Sequence, residues 1–282
     1  MSDVKLYVVS LPIGNLGEVT FLAKKILTET KLIICEDTRS IKKFFILNDW
    51  SYKNINFVSY HKFNESSRID YIQELLEKNK TGVLVSDAGY PGICDPGSKI
   101  ILACRQNGVD IQVVNGPCAL IHCLVASGWS TFPFLFSGFS SHSLNQIRKQ
   151  LKKYYQFYGV IIFYVSVYAL DNFVNGVENV FTPDCEICVG RELTKKHEEI
   201  LVGKLSEIKN KLIKKGEFVF LIKNTNHQEK LVQTNQLSMV ADLIKLGIRR
   251  KQAFNFLKKY YCFSSRDYEK LNDQKVIKNP DD

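Results

Sequence analysis

The stretch Ser86-Asp87-Ala88-Gly89-Tyr90-Pro91-Gly92-Ile93-Cys94-Asp95-Pro96-Gly97 constrains this chain more than any other. The apolar run Val83-Leu84-Val85 precedes it and reads as a buried parallel strand. Ser98 to Asn107 follows, and its apolar positions Ile100, Ile101 and Cys104, closed by Gly108, read as a helix. The stretch is therefore a strand-to-helix loop at the carboxyl end of a strand, where open α/β sheets bind ligands. Gly89, Gly92 and Gly97 permit positive φ and close backbone approach. Pro91 and Pro96 stiffen the loop. Asp95 stands where a helix N-cap belongs, with Pro96 at the first helical position. A plain βα connection takes about 2–6 residues. This one takes twelve, with three glycines and two prolines. The surplus predicts a preformed ligand cradle.

Either side of that loop the pattern alternates strand and helix. Lys5 to Ser10 reads as a strand, Val19 to Glu29 as a helix, and Leu32 to Cys35 as a second strand. The loop between the first two, Leu11-Pro12-Ile13-Gly14-Asn15-Leu16-Gly17-Glu18, lacks the full Gly-x-Gly-x-x-Gly fingerprint, which argues against a nicotinamide cofactor. The second strand runs into Glu36-Asp37-Thr38-Arg39, a charged cluster at a strand's carboxyl end. Asp37 or Thr38 would also cap the helix through Leu47, which carries Lys42 and Lys43. Asn56 to Ser59 reads as a third strand, leading to Tyr60-His61-Lys62-Phe63-Asn64-Glu65. Ser66 to Lys78 has its apolar residues on one helical face. Val109 to Val114 is a further strand, ending in Asn115-Gly116-Pro117-Cys118, with a helix from there to Ser127.

The second half keeps the α/β rhythm. Strands are expected at 134–136, 159–165, 186–190, 200–202 and 218–222, with a polar loop from Gly138-Phe139. A helix over 144–155 carries Arg148, Lys149, Lys152 and Lys153, read as a solvated cationic face. Residues 224–237 are polar and read as a linker, followed by a basic helical tail with Arg249, Arg250, Lys251, Lys258 and Lys259. The expected domains are 1–116, 117–224 and 225–282, the last being linker and tail.

A chain of 282 residues has room for two ordinary domains, and 45% hydrophobic with 24% charged residues fits a folded chain. The net charge of +9 favours a polyanionic partner. No apolar run reaches the ~18 residues that span a bilayer. The N-terminus lacks a signal-peptide pattern, so a soluble cytoplasmic protein is expected. The eight cysteines are then reduced thiols. Cys185-Glu186-Ile187-Cys188 has no second ligand pair and enters a strand that would turn its thiols to opposite faces, so no metal site is expected.

The loop at 86–97 resembles the Ser-Asp-Ala-Gly-x-Pro-Gly-x-x-Asp-Pro-Gly signature of the ribosomal RNA small subunit methyltransferase I family, in the tetrapyrrole methylase superfamily. Four further segments match in family order. Residues 12–18 resemble its Pro-x-Gly-Asn-Leu-Gly-Asp/Glu loop, and 36–39 its Glu-Asp-Thr-Arg string. Residues 59–65 resemble Ser-x-His-x-His-Asn-Glu, with Phe63 in place of the second histidine. Residues 190–199 resemble Arg-Glu-Leu-Thr-Lys-x-His-Glu-Glu. The Gly116-Pro117 turn matches as well, with Cys118 in place of serine. One segment departs: where the family carries Glu-Ser-Pro-His-Arg, this chain reads Val165-Ser166-Val167-Tyr168-Ala169.

The resemblance implies two α/β domains with S-adenosylmethionine in the cleft between them, a small C-terminal helical appendage, and a homodimer. It implies 2′-O-methylation of a cytidine in the decoding region of 16S rRNA, free or in the small ribosomal subunit. It assigns the cofactor to Pro12, Gly14, Asp87, Ala88, Gly89, Pro91, Gly92, Asp95, Gly116 and Pro117. It assigns the chemistry to Glu36, Asp37, His61, Arg191 and Lys195, and RNA contact to Arg39, Lys42, Lys43, Arg249 and Arg250. Glu36, Asp37 and His61 remain alternative proton acceptors. A methyltransferase for a small tetrapyrrole, and a cofactor- or RNA-binding relative without turnover, stay open beside the RNA enzyme.

Overall fold

Strands that are apolar at every position need cover on both faces, and the first half of the chain supplies it. The computed structural model describes residues 4–129, 133–225, 239–240 and 242–260. Strands β1 (Lys5–Val9), β2 (Leu32–Cys35), β3 (Asn56–Ser59), β4 (Thr81–Val85) and β5 (Asp110–Val114) form a parallel sheet in the order β3-β2-β4-β1-β5. Helices α1 (Phe21–Glu29) and α2 (Thr38–Leu47) cover one face, where Leu27, Ile41 and Phe45 pack on Ile33, Val83 and Val85. Helices α3 (Glu65–Asn79) and α4 (Ser98–Gln106) cover the other, where Ile72, Leu76 and Ile100 pack on Leu6, Leu32 and Leu84. The two sets are offset by one residue, because successive side chains of a strand point to opposite faces of the sheet.

This arrangement opens crevices at the carboxyl ends of the strands. The chain leaves β1 and β2 toward one face, and leaves β3 and β4 toward the other. Strand β4 lies between β1 and β2, so the loops on either side of it diverge from the one it carries. Diverging loops at neighbouring strand ends leave a ligand-sized gap.

The second sheet is mixed. After α5 (Ala119–Ala126) come β6 (Phe134–Phe139), α6 (Leu144–Lys153), β7 (Gly159–Ser166), α7 (Leu170–Phe181), β8 (Glu186–Arg191), β9 (Glu199–Lys204), α8 (Leu205–Ile208) and β10 (Glu217–Asn224). The order is β6-β7-β10-β8-β9; β6 and β7 run parallel and the other pairs antiparallel. Helices α6, α7 and α8 bury one face and α5 the other. The two thiols of the Cys-x-x-Cys do face opposite ways: Cys185 joins the α6–α7 core, while Cys188 lies 3.8 Å from Cys123 of α5.

Three expectations need correction. Asp95 is not a helix cap: α4 begins at Ser98 with Gly97 as the cap residue, and Asp95 instead lines the cavity described below, where Ser86 hydrogen-bonds it. The loop after Phe136 is not yet a loop, because β6 continues through a bulge to Phe139. Helix α7 has no clear local signal in the sequence, since its asparagines, valines and Gly176 are weak helix formers. Tertiary packing makes it a helix, with Leu170, Phe173, Val177 and Phe181 buried at helical spacing. Helix α9 (Arg250–Tyr260) is the last described element; the linker over 226–237 and the tail beyond 260 lie outside the described residues. Among the described residues no helix is long and apolar enough to cross a membrane.

Candidate active site

The loop at 86–97 is held in shape from both ends. Gly89, Gly92 and Gly97 take φ of +67°, +84° and +151°, values that glycine adopts without strain. Gly89 exchanges two backbone hydrogen bonds with Leu11, each 3.0 Å, which ties this loop to the one after β1. Ser86 donates to the carbonyls of Ala88 and Gly89. Tyr90 accepts from the Gly116 N–H at 3.0 Å, and Ser10 donates to the Pro117 carbonyl at 2.8 Å. The turn at 116–117 is thereby fixed against β1.

Between the two sheets lies a cavity of about 290 Å³. The first domain contributes Ile13 and the run from Ala88 to Gly89, Tyr90, Ile93, Cys94 and Asp95. The second contributes Cys118, Tyr164, Ser166, Leu193, Lys195 and Val219, among others. Ala88, Gly89 and Asp95 therefore line this cleft. Gly14 supports it from behind: a Cβ there would stand 2.5 Å from Lys195 Cγ and 2.7 Å from Thr194 Oγ1. Pro12, Pro91, Gly92, Gly116 and Pro117 belong to the backbone that shapes its walls. Sequence reasoning missed Tyr164, Ser166 and Leu193 as lining residues. The strand-end position of Tyr164 was the available signal.

A second cavity, about 470 Å³, opens at the ends of β2 and β3. Glu36, Asp37, Arg39, His61, Phe63 and Asp87 line it. One loop thus serves both cavities: Asp87 faces the basin and its neighbour Ala88 faces the cleft.

The carboxylates of this region differ in character. Asp37 caps α2 by accepting from the Arg39 N–H at 2.8 Å, and its side chain is chelated by the Arg39 guanidinium at 2.6 Å. Those bonds hold its pKa down at about 2. Glu36 is pushed up, by burial first and then by the charge of Asp87. Asp87 is pushed up by burial and by Asp37, although Ser40 hydrogen-bonds it. Asp95 rises to about 6, through burial and the charges of Glu36 and Asp87. Asp87 and Glu36 face the basin and Asp95 the cleft, so the cluster spans the wall between the two.

The cations of the 190–199 segment sit elsewhere. Arg191 is 8% exposed and bonds Glu199 at 3.1 Å. Lys195 bridges Glu192 at 3.0 Å and Glu217 at 2.8 Å on the cleft wall. Burial alone would lower the Lys195 pKa, but the two carboxylates outweigh it and raise it. The structure therefore brings Glu36, Asp37, His61 and Arg39 together, puts Lys195 in the adjacent cleft, and keeps Arg191 inside the second domain. Lys42 lies over the Phe57 ring and Lys43 is exposed, both on α2 beside Arg39. Arg249 is exposed just before α9, which Arg250 begins. No cluster of three or more His, Cys, Asp and Glu residues suited to a metal ion occurs among the described residues.

Comparison with known proteins sets this geometry in context. The sequence profile of the Tetrapyrrole (Corrin/Porphyrin) Methylases matches residues 5–209. The chain is 37% identical over 269 residues to the ribosomal RNA small subunit methyltransferase I of Mycoplasma genitalium, covering 93% of this chain and 96% of that one. It is 36% identical over 258 residues to the protein of the same name in Mycoplasma pneumoniae, covering 90% and 93%. Solved structures with the same fold include a diphthine synthase (TM-score 0.60, 14% identity, covering 77% of this chain and 88% of that one). The methyltransferase CobJ is another (TM-score 0.59, 18% identity, covering 78% and 94%).

Proposed function

This chain belongs to the ribosomal RNA small subunit methyltransferase I family, within the tetrapyrrole methylases, and from that membership we propose that it methylates the ribose 2′-hydroxyl of a cytidine in the decoding region of 16S rRNA, with S-adenosylmethionine as donor. The observation that carries the reading is the shared loop. An apolar cleft and a polar basin meet across Asp87 and Ala88, as a donor site and an acceptor site must in a direct transfer.

The cleft fits the donor. Its walls are largely apolar and aromatic, which suits an adenine ring and a thioether chain. Ser166 Oγ is shielded from solvent in that wall and has no hydrogen-bond partner among the described residues, so it would be satisfied by a polar ligand atom. The crowded carboxylates Asp95, Asp87 and Glu36 disfavour one another's charge, and a sulfonium or ammonium beside Asp95 would relieve that. S-adenosylmethionine brings a methyl group already activated on sulfur. The protein has only to orient the ribose and accept one proton.

Glu36 is that acceptor. Asp37 is committed to Arg39 and to the cap of α2, which leaves it a poor base. Glu36 has a raised pKa and faces the basin without an ion-pair partner among the described residues. His61 stands beside it. Exposed Lys42 and Lys43 meet the RNA backbone as point charges beside the Asp37-paired Arg39, and exposed Arg249 adds a further cation for RNA. Val165 lines the cleft where the family carries glutamate, Ser166 keeps the family's serine, and Tyr168, where the family carries histidine, is 89% exposed. That neutral rim weakens substrate grip rather than chemistry. The chain works in the cytoplasm, where ribosomes assemble, as a homodimer. Val113 on edge strand β5, Leu102 of α4 and Val125 of α5 are exposed apolar residues, the kind of surface that self-association buries. Sedimentation as a monomer at working concentration would remove the dimer from the proposal.

The test incubates purified small ribosomal subunits with the chain and labelled S-adenosylmethionine, then maps the label. Ribose methylation of 16S rRNA is expected, and Glu36→Gln lowers the rate by about 10²–10⁴-fold with cofactor affinity retained. No transfer despite normal cofactor binding would establish a relative without turnover. Label entering a tetrapyrrole precursor would establish the small-molecule enzyme.

A further inference from the structure

We propose that Phe63 is a stacking platform for the nucleobase attached to the target ribose, so that the basin accepts a nucleotide turned out of its own stack. This rests on the reading that the chain methylates RNA ribose. Phe63 is 94% exposed and belongs to no core cluster, yet it stands on the rim of the basin that holds Glu36 and Asp87. Phe21 and Tyr168 are comparably exposed, but they line neither cavity. An aromatic face left in water beside a polar pocket is the arrangement by which proteins hold unstacked RNA bases.

The neighbouring histidine supplies a second observation. Asn64 Oδ1 accepts from the His61 N–H at 2.7 Å, and Asn64 Nδ2 donates to the Ser59 carbonyl at 3.3 Å. These two bonds set the orientation of the amide, so its Nδ2 also donates to His61 Nε2 at 3.2 Å. With Nε2 acting as acceptor, the ring hydrogen is on Nδ1. That atom is shielded from solvent and has no partner among the described residues. A buried donor without a partner at a cavity wall is a place for a ligand acceptor. The His61 and Phe63 rings lie 6.1 Å apart at 66°, so one side of the basin offers a stacking face with a donor beside it. Exposed Lys62 adds a positive charge on the same rim. Base, ribose and phosphate are each met by a matching group.

The experiment measures KM and kcat for small ribosomal subunits with Phe63→Leu, which keeps apolar bulk and removes the ring, and with Phe63→Trp, which keeps a ring. Stacking predicts that Phe63→Leu raises KM by roughly 5- to 100-fold. Its affinity for S-adenosylmethionine and its melting temperature stay those of the parent chain. Phe63→Trp stays within about threefold in KM, and its added indole fluorescence is quenched when subunits bind. Normal transfer by the parent chain with an unchanged KM for Phe63→Leu would overturn the stacking role alone. Absence of transfer by the parent chain would overturn the parent reading and this one with it.

Discussion

Asp95 shows how one residue's role changes with its surroundings. From sequence it is a helix cap; in the fold it is a partly buried carboxylate near two others, with a pKa pushed up to about 6. The shift has a consequence for stability. A carboxyl whose folded pKa lies above its ordinary 3.8 binds its proton more tightly in the native state, so ionisation favours unfolding. The cofactor-free chain therefore loses stability as pH rises from about 4 to 6, over the window between those two values. Asp95→Asn removes the ionisation. Thermal unfolding across that range is expected to decline less for the variant than for the parent. Identical slopes would mean that Asp95 is not perturbed. Asp37 works in the opposite sense: its lowered pKa adds stability that is present above its ordinary value and lost as pH falls toward about 2.

At the scale of an element, α7 is held by packing rather than by propensity. Gly176 in its middle lets α6 approach: a Cβ there would stand 2.6 Å from Ile147 Cγ2 and 3.3 Å from Leu151 Cδ1. Helix propensity alone says Gly176→Ala should stabilise by about 1 kcal/mol. Overpacking a tight core costs about 1–3 kcal/mol, and here the neighbours are buried branched side chains with no free end. Packing outweighs propensity, so Gly176→Ala is expected to destabilise by up to about 2 kcal/mol in denaturant unfolding. A more stable variant would show that α6 shifts freely. The turn after β8 carries its own strain, with Glu192 and Thr194 at φ of +49° and +63°. Bonds from Lys195 and from the Glu217 N–H to Glu192 hold it, which keeps Lys195 on the cleft wall.

The whole molecule depends on two domains meeting at the right distance. The Asn15 N–H donates to Thr194 Oγ1 at 3.0 Å, joining residues 179 apart in sequence. Gly14 beside it leaves no room for a side chain. Gly14→Val is expected to push the 193–195 turn off the cleft and weaken S-adenosylmethionine binding by tenfold or more. The two sheet cores are untouched, so the far-ultraviolet circular dichroism stays that of the parent. Calorimetry that finds parental affinity would show that the domains adjust around the added bulk. Counterion release gives a second prediction at this scale: with a net charge of +9, the logarithm of RNA affinity should fall steeply with the logarithm of salt concentration. A flat response would point to an uncharged or small substrate.

Local sequence determined the strands, because runs such as Val83-Leu84-Val85 are apolar at every position and glycines with prolines punctuate them. It also determined that residues 86–97 form a long loop, whose length and composition exceed a plain turn's needs, and the helix start at Asp37. These are short-range facts of backbone geometry and side-chain period. Only the tertiary structure decided which carboxylate is free. Glu36, Asp37, Asp87 and Asp95 look alike in sequence, and what separates them is burial, Arg39 and one another's charge. The tertiary structure alone made α7 a helix, gave the second domain a mixed sheet, and divided one loop between two cavities. Each depends on contacts between residues far apart in the chain, and such contacts form only when the domains pack.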